Sequence, residues 1–413
     1  MIAFACKQHS HGEGTHTHDK DGEPSHAGHA HGEGDNAHQG HAHGEGENTH
    51  HGHAHGEGEH AHHGHAHGEG EHGHEAKGSA IMKNLLYPKE KHIKNLKQLT
   101  FGGDNAEAYW SFDNQKLVFQ AKNKAWGAEC DQIYLMDPYA AVKKDEVAPL
   151  LSTGKGRTTC SYFMPGNKSV LYASTHLGDE ACPVEPPRGE KYVWPIYSDF
   201  DIFVADLNGK IIAQLTDEKG YDAEATVNPQ GDKIVYTSTR SGDLELWTMD
   251  IDGSNKKQVT NGLGYDGGAF FSPDGKKLIF RASRPQTEAD KKEYTDLLAK
   301  GLVQPTEMEL FVCNVDGSDL KQITKLGNAN WAPFFHPSGE KIIFASNHNS
   351  KRGFPFNLFM INVDGTGLEQ ITYDNTFDSF PMFSPDGKKL AFSSNRNNGG
   401  TRETNLFIAD WVE

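Results

Sequence analysis

One phrase, written six times between residues 93 and 413, limits what this chain can fold into. It is clearest in Phe271-Ser-Pro-Asp-Gly-Lys-Lys-Leu-Ile-Phe280 and Phe383-Ser-Pro-Asp-Gly-Lys-Lys-Leu-Ala-Phe392. Looser copies stand at Phe112-Asp113-Asn114, Met164-Pro165-Gly166, Asn228-Pro229-Gln230-Gly231 and His336-Pro337-Ser338-Gly339. Each lies between two apolar, β-rich runs and so reads as strand, tight turn, strand. A third run follows, as in Leu246–Gly253 and Leu358–Gly365. A fourth closes most units with Gln214-Leu215-Thr216, Gln258-Val259-Thr260, Gln322-Ile323-Thr324 or Gln370-Ile371-Thr372, and more weakly with Leu150-Leu151-Ser152. Four strands per unit, with proline anchors about 44 to 64 residues apart, is the pattern of propeller blades carrying insertions.

The last unit has three strands, because the chain stops at Trp411-Val412-Glu413 after its third run. Lys97-Gln98-Leu99-Thr100, before the first unit, is a fourth-strand phrase without a blade of its own. The segment from Ile93 to Thr100 is therefore expected to complete the sixth blade, and closing the ring from both chain ends removes open sheet edges. The expected fold is all-β: a six-bladed β-propeller of four-stranded blades over residues 93–413, preceded by a linker at 79–92 and a tail at 1–78.

The Ser-Pro-Asp-Gly-Lys-Lys-Leu-x-Phe phrase, followed by Ser394-Asn395-Arg396 or Ser238-Thr239-Arg240, a Leu-Phe or Leu-Trp strand and Gln-x-Thr, resembles the repeats of TolB-like propellers. The resemblance covers nearly all of 93–413 and is specific for fold. Similar repeats occur in the envelope protein TolB, in oligogalacturonate lyases and in prolyl oligopeptidase-type enzymes, so it implies no single chemistry. The N-terminal α/β domain of TolB itself is replaced here by the tail.

The tail is a different material. Of the 25 histidines, all but His92, His176, His336 and His348 lie in it, and a 12-residue unit starts at Gly28, Gly40, Gly52 and Gly64, each time Gly-His-Ala-His-Gly-Glu-Gly. So little apolar surface cannot offset the entropy of ordering, and disorder is expected. Neutral imidazoles on a Gly-rich backbone converge readily on zinc, nickel or copper(II). The candidate ligands are His29, His31, His38, His41, His43, His50, His51, His53, His55, His60, His62, His63, His65, His67, His72 and His74. A pH-responsive spacer is the plainer alternative. Of the net charge of −17, the 13 acidic and 3 basic residues through Lys77 place −10 on the tail, leaving −7 on the rest. Neither part has the clustered basic face of a nucleic-acid binder, and no stretch is long and apolar enough for a membrane-spanning helix.

At the other end of the tail, Ile2-Ala3-Phe4-Ala5-Cys6-Lys7 has the form of the end of a bacterial lipoprotein signal, with Cys6 as the lipidated residue, although no basic or long apolar stretch precedes it. Among the other cysteines, a Cys160–Cys182 bridge is expected across an insertion in the second blade, with Cys130–Cys160 as the competing pairing and Cys313 in the core. That insertion, Thr175–Ser198, carries Tyr192, Trp194 and Tyr197, a candidate partner-binding surface or a loop folded back over its own blade. A second insertion, Arg284–Glu309, reads as a helix capped by Thr287 and Asp290, with Tyr294 on one face and Gly301 as its stop. It offers Tyr294 as a further partner contact.

No Gly-x-Ser-x-Gly elbow is present, so hydrolase chemistry of the prolyl oligopeptidase type is not expected. The resemblance to oligogalacturonate lyases implies several ring histidines on a divalent metal, and the propeller region has four. The leading expectation is a non-enzymatic, monomeric envelope propeller, periplasmic or lipid-anchored, of a Gram-negative bacterium. It would bind a protein or a glycan while the tail binds zinc or a similar ion. A polysaccharide-degrading enzyme and a dedicated metallochaperone are the alternatives.

Overall fold

The computed structural model describes residues 85–186, 191–351 and 353–413. The tail with its candidate metal ligands, and Cys6, lie outside the described residues. The rest is the expected ring of six antiparallel blades.

The innermost strands are Asp104–Trp110, Thr158–Phe163, Asp222–Val227, Asp266–Phe271, Asn330–Phe335 and Asp378–Phe383. Each leads through the repeated turn into a second strand. The turn is held locally: in the fourth blade Ser272 Oγ donates to Asp274 Oδ1 at 2.6 Å, accepts from the Lys277 amide at 2.9 Å, and Gly275 takes φ 72°. Ser384, Asp386 and Gly387 repeat this in the sixth. Glycine adopts that φ without strain and asparagine tolerates it, which is why the position is Gly in four blades and Asn in the first two, at Asn114 and Asn167.

Second and third strands are stapled by aromatic pairs in direct register. Phe119 faces Tyr134, Tyr172 faces Phe203, Tyr236 faces Trp247, Phe280 faces Phe311, Phe344 faces Phe359 and Phe392 faces Phe407. The second-strand member is fully buried in every blade. Cross-strand aromatic pairs of this kind each add roughly 0.2–1 kcal/mol beyond alanine pairs.

The Gln-x-Thr phrase also has a physical explanation. The Thr or Ser hydroxyl accepts the amide hydrogen that opens the third strand: Ser152 from Ile133, Thr216 from Ile202, Thr260 from Leu246, Thr324 from Leu310, Thr372 from Leu358 and Thr100 from Leu406, all at 2.8–2.9 Å. In five of these blades the Gln amide donates to the carbonyl of the same Thr, Gln98 to Thr100 among them. Thr100 thus does for the sixth blade what each blade's own Thr does elsewhere. Ile93–Gln98 pairs with Asn405–Trp411, and the ring closes as expected.

The first strand starts at Ile93, and the segment before it is packed against the ring. From Leu85 onward the segment assigned to a linker is docked on the sixth blade, where Leu85 is buried. Glu90, also buried, takes two bonds from Arg396 at 2.9 and 3.1 Å, Arg396 also holds Asp378 at 2.9 Å, and Tyr87 donates to Asp374 at 2.6 Å. The partner of Glu90 lies 306 residues away, so local spacing could not show it.

Thr100→Val strands the buried Leu406 amide at the closure. The expected cost is about 1–3 kcal/mol in urea unfolding, the desolvation penalty of an unpaired donor. An unchanged midpoint and slope would show that closure does not depend on this bond.

Candidate functional site

Two places in the ring differ from plain scaffold, at opposite ends of the innermost strands. The first is a polar chamber on the axis. Two residues after its start, or three in the first blade, each innermost strand bulges at a positive-φ position: Glu107 (54°), Cys160 (44°), Glu224 (57°), Gly268 (60°), Ala332 (48°) and Phe380 (55°). Five of the six are not glycine, a strain that clusters where side chains must be aimed. All six border a void of about 30 Å³, and Glu107, Cys160, Glu224 and Phe380 also border a second of about 40 Å³, room for a few waters.

Arg281 enters this chamber from the second strand of the fourth blade. Its Nη2 donates to Glu224 at 2.6 Å and to the Tyr265 hydroxyl at 2.7 Å. Glu224 is further held by Tyr265, Thr237 and the Gly268 amide at 2.8–2.9 Å. Gly267 and Gly268 make the space: a Cβ on the first would stand 2.3 Å from Glu224 and Tyr265, and on the second 2.4 Å from Arg281 Nη1. Burial pushes the Tyr265 hydroxyl and the Cys160 thiol well up, and neighbouring Glu107 and Glu224 add to the thiol's shift. Both stay protonated at neutral pH.

The two insertions form a lid over this chamber by pairing with one another. Trp194–Pro195 makes a short antiparallel ladder with Leu302–Val303, and the Ile196 amide donates to the Gly301 carbonyl at 2.7 Å. Lys191 pairs with Glu293 on the helix Glu288–Leu298, whose Thr287–Asp290 capping box is formed as expected. Trp194 lies over Arg281 at 5.2 Å and against Trp331 at 5.3 Å, and its indole donates to Tyr192. The aromatics expected on a partner surface are therefore turned inward. Tyr192 and Trp194 line the void, Tyr294 is buried and donates to Asp243, and Tyr197 packs under Arg157 while donating to the Val184 carbonyl. The bare rim of one blade cannot cover such rings, whereas a loop reaching from the second blade to the fourth can.

The disulfide also differs from expectation. Cys130 pairs with Cys182, their Cα atoms 5.9 Å apart, and ties the second-blade insertion to the first blade. Cys160 is instead buried and free, because its bulged backbone sends it toward the axis. Cys313 is buried and free as expected.

The four ring histidines do not converge. His176 and His348 each bond the serine two residues earlier, at 2.9 and 3.0 Å, His336 bonds Ser338 in its turn, and His92 bonds Glu369 and the Val412 carbonyl. Among the described residues no group of three or more His, Cys, Asp or Glu is arranged to hold a metal. Among the described residues no helix is long and apolar enough to cross a membrane.

The second place is a funnel of about 300 Å³ at the end of the ring that carries the repeated turns. All six blades contribute, among them Phe112, Tyr162, Pro229, Pro273, Pro337 and Pro385, and no lining residue is charged. The rings Tyr109, Tyr162 and Phe270 stand 5.6–6.5 Å apart, with Phe334 5.2 Å from Phe270, and separate the funnel from the polar chamber.

The root of the fourth-blade insertion carries a titrating group. Arg284 pairs with Asp266, and beside them burial pushes the Glu245 carboxyl up to about 8, with Asp266 and Asp243 adding to the shift. Below its unfolded value, near 4.5, the folded and unfolded states are equally protonated. Between there and about 8 the folded state binds more protons, so this group's contribution is lost as pH rises. Glu245→Gln should raise the melting temperature relative to the parent between pH 5 and 9, by at least about 2 °C. A gap that stays constant with pH would refute this.

The sequence profile described as the TolB beta propeller domain matches residues 180–295 and 298–402, more than half of the chain. Among solved structures, a putative TolB from Agrobacterium tumefaciens is 17% identical with a TM-score of 0.48, covering 75% of this chain and 91% of its own. TolB from Acinetobacter baumannii is 18% identical with a TM-score of 0.48, over 73% of this chain and 65% of its own. An oligogalacturonate lyase from Vibrio parahaemolyticus is 14% identical with a TM-score of 0.44, over 77% and 94%. No curated protein matches. With all six blades assembled and the repeat profile matched over most of four of them, the chain belongs to the TolB β-propeller domain family.

Proposed function

We propose that this is a non-catalytic envelope protein that binds another protein through the funnel at the turn end of its propeller. The observation that carries this reading is the funnel's chemistry. It is built from aromatic rings and prolines of every blade, with no charged residue in its lining and Pro229, Pro273 and Pro385 exposed around it. An acidic polysaccharide would call for cationic groups or a metal, whereas flat rings and prolines suit an extended apolar peptide segment. The periplasm, with or without a lipid at Cys6, is the compartment we assign, and the Cys130–Cys182 bridge fits its oxidising conditions.

The test is a charge at the exposed rim. Pro273→Lys combined with Pro385→Lys should lower capture of the partner from native envelope extracts at least about tenfold, because a desolvated apolar contact does not tolerate a buried ammonium. The melting temperature should move little, since both prolines are exposed. Undiminished capture would remove the funnel from the binding surface.

For the tail we propose divalent metal binding through its His-x-His units, zinc foremost. Zinc calorimetry on the full chain should show several sites that disappear when residues 9–74 are deleted. Their affinity should fall below about pH 6 as imidazoles protonate. A pH-independent isotherm would assign the metal to carboxylates instead.

A further inference from the structure

The axial chamber holds two groups of opposite charge whose bonding is incomplete. Arg281 is 8% exposed, and among the described residues nothing accepts from its buried Nε. Across the same voids, Glu107 has only a 3.4 Å bond from the Tyr109 hydroxyl and the neighbouring Cys160 thiol. Glu224 cannot serve either group further. It already neutralises Arg281 through Nη2 and takes hydrogens from Tyr265, Thr237 and Gly268.

Formal charge gives the same picture. Both voids are lined by Glu107, Glu224 and Arg281 and by no other charged residue, which leaves one negative charge without a counterpart. Glu107 is half-buried, and a carboxylate drawn partly out of water in that position is stabilised by a cation or a strong donor. A simple cation would answer Glu107 but leave the Arg281 Nε–H unmet, and a simple anion would meet Arg281 while facing Glu107. A molecule bearing an ammonium and a carboxylate satisfies both. On the lid side, Tyr192, Trp194 and Trp331 supply ring faces suited to an ammonium or a short apolar side chain.

We propose that the axial chamber beneath the paired insertions is a binding site for a small amino-acid zwitterion, its ammonium on Glu107 and its carboxylate on Arg281 Nε. The voids admit only water-sized groups with the lid closed, so entry requires the Trp194–Pro195 and Leu302–Val303 ladder to part. Gly268 leaves room for the guanidinium itself, since a Cβ there would stand 2.4 Å from Arg281 Nη1. The site is separate from the funnel, and its fate does not bear on the partner-binding reading.

The test is calorimetry on the full chain with glycine and L-alanine at about 10 mM, where a Kd of about 1 mM would be nearly saturated. Methylammonium and acetate at the same concentration serve as half-ligands. The zwitterions should bind and each half-ligand should bind at least about tenfold more weakly, since it answers one charge of the two. Glu107→Gln should weaken zwitterion binding by at least about tenfold without lowering the melting temperature of the free protein. Trp194→Ala should speed binding and release by opening the lid. No heat from either zwitterion with the parent and with Trp194→Ala would overturn the proposal, as would equal binding of methylammonium or undiminished binding by Glu107→Gln.

Discussion

The ring depends on the seam where Ile93–Gln98 pairs with Asn405–Trp411, and the bond between the Thr100 hydroxyl and the Leu406 amide belongs to it. Five equivalents lie within single blades and join residues 14 to 19 apart; this one spans 306. A sheet open at that seam would present two unpaired edges, and the axial chamber, which takes a residue from every blade, would lose its geometry. Chamber and funnel are both consequences of closure. Neither is a property of any one blade.

Much of this could be read in the sequence because the repeats supply their own alignment. Strand count, the turn chemistry and the seam at Ile93–Thr100 all follow from phrases that recur at a fixed place in each unit, and the helix at 288–298 from its own Thr287–Asp290 cap. The chamber was legible by the same means, though it takes a position-by-position comparison to see it. The residue after the buried aromatic of the second strand is Gln120, Ala173, Thr237, Arg281, Ala345 and Ser393 in successive blades. One arginine among small or neutral residues, beside a Gly267-Gly268 pair, marks the place.

What could not be read depends on pairings between insertions, which carry no repeat. Cys130 finds Cys182 because the second-blade insertion folds back toward the first blade before crossing the axis. Trp194 and Val303 come together from loops whose lengths are each set by a different blade. Their aromatic content suggested an exposed surface, and burial between two insertions satisfies the same side chains equally well. Glu90 and Arg396 belong with these, since a charge pair across the seam has no local signature.

A pattern of charges within the blades bears on how such a chain can change. At the start of the innermost strand and just past the second, three blades carry an ion pair: Asp222 with Arg240, Asp266 with Arg284, Asp378 with Arg396. The other three carry neutral couples at these positions, Asn105 with Asn123, Thr158 with His176 and Asn330 with His348, and burial holds both of those histidines toward the neutral form. Acid and base are thus inherited together inside one module. A blade could be duplicated, lost or exchanged between copies of the gene without stranding a charge in the ring. Two buried pairs are exceptions, Arg281 with Glu224 of the preceding blade and Arg157 with Asp131 of the first, and each fixes its two blades as neighbours that recombination cannot separate without leaving a buried charge alone.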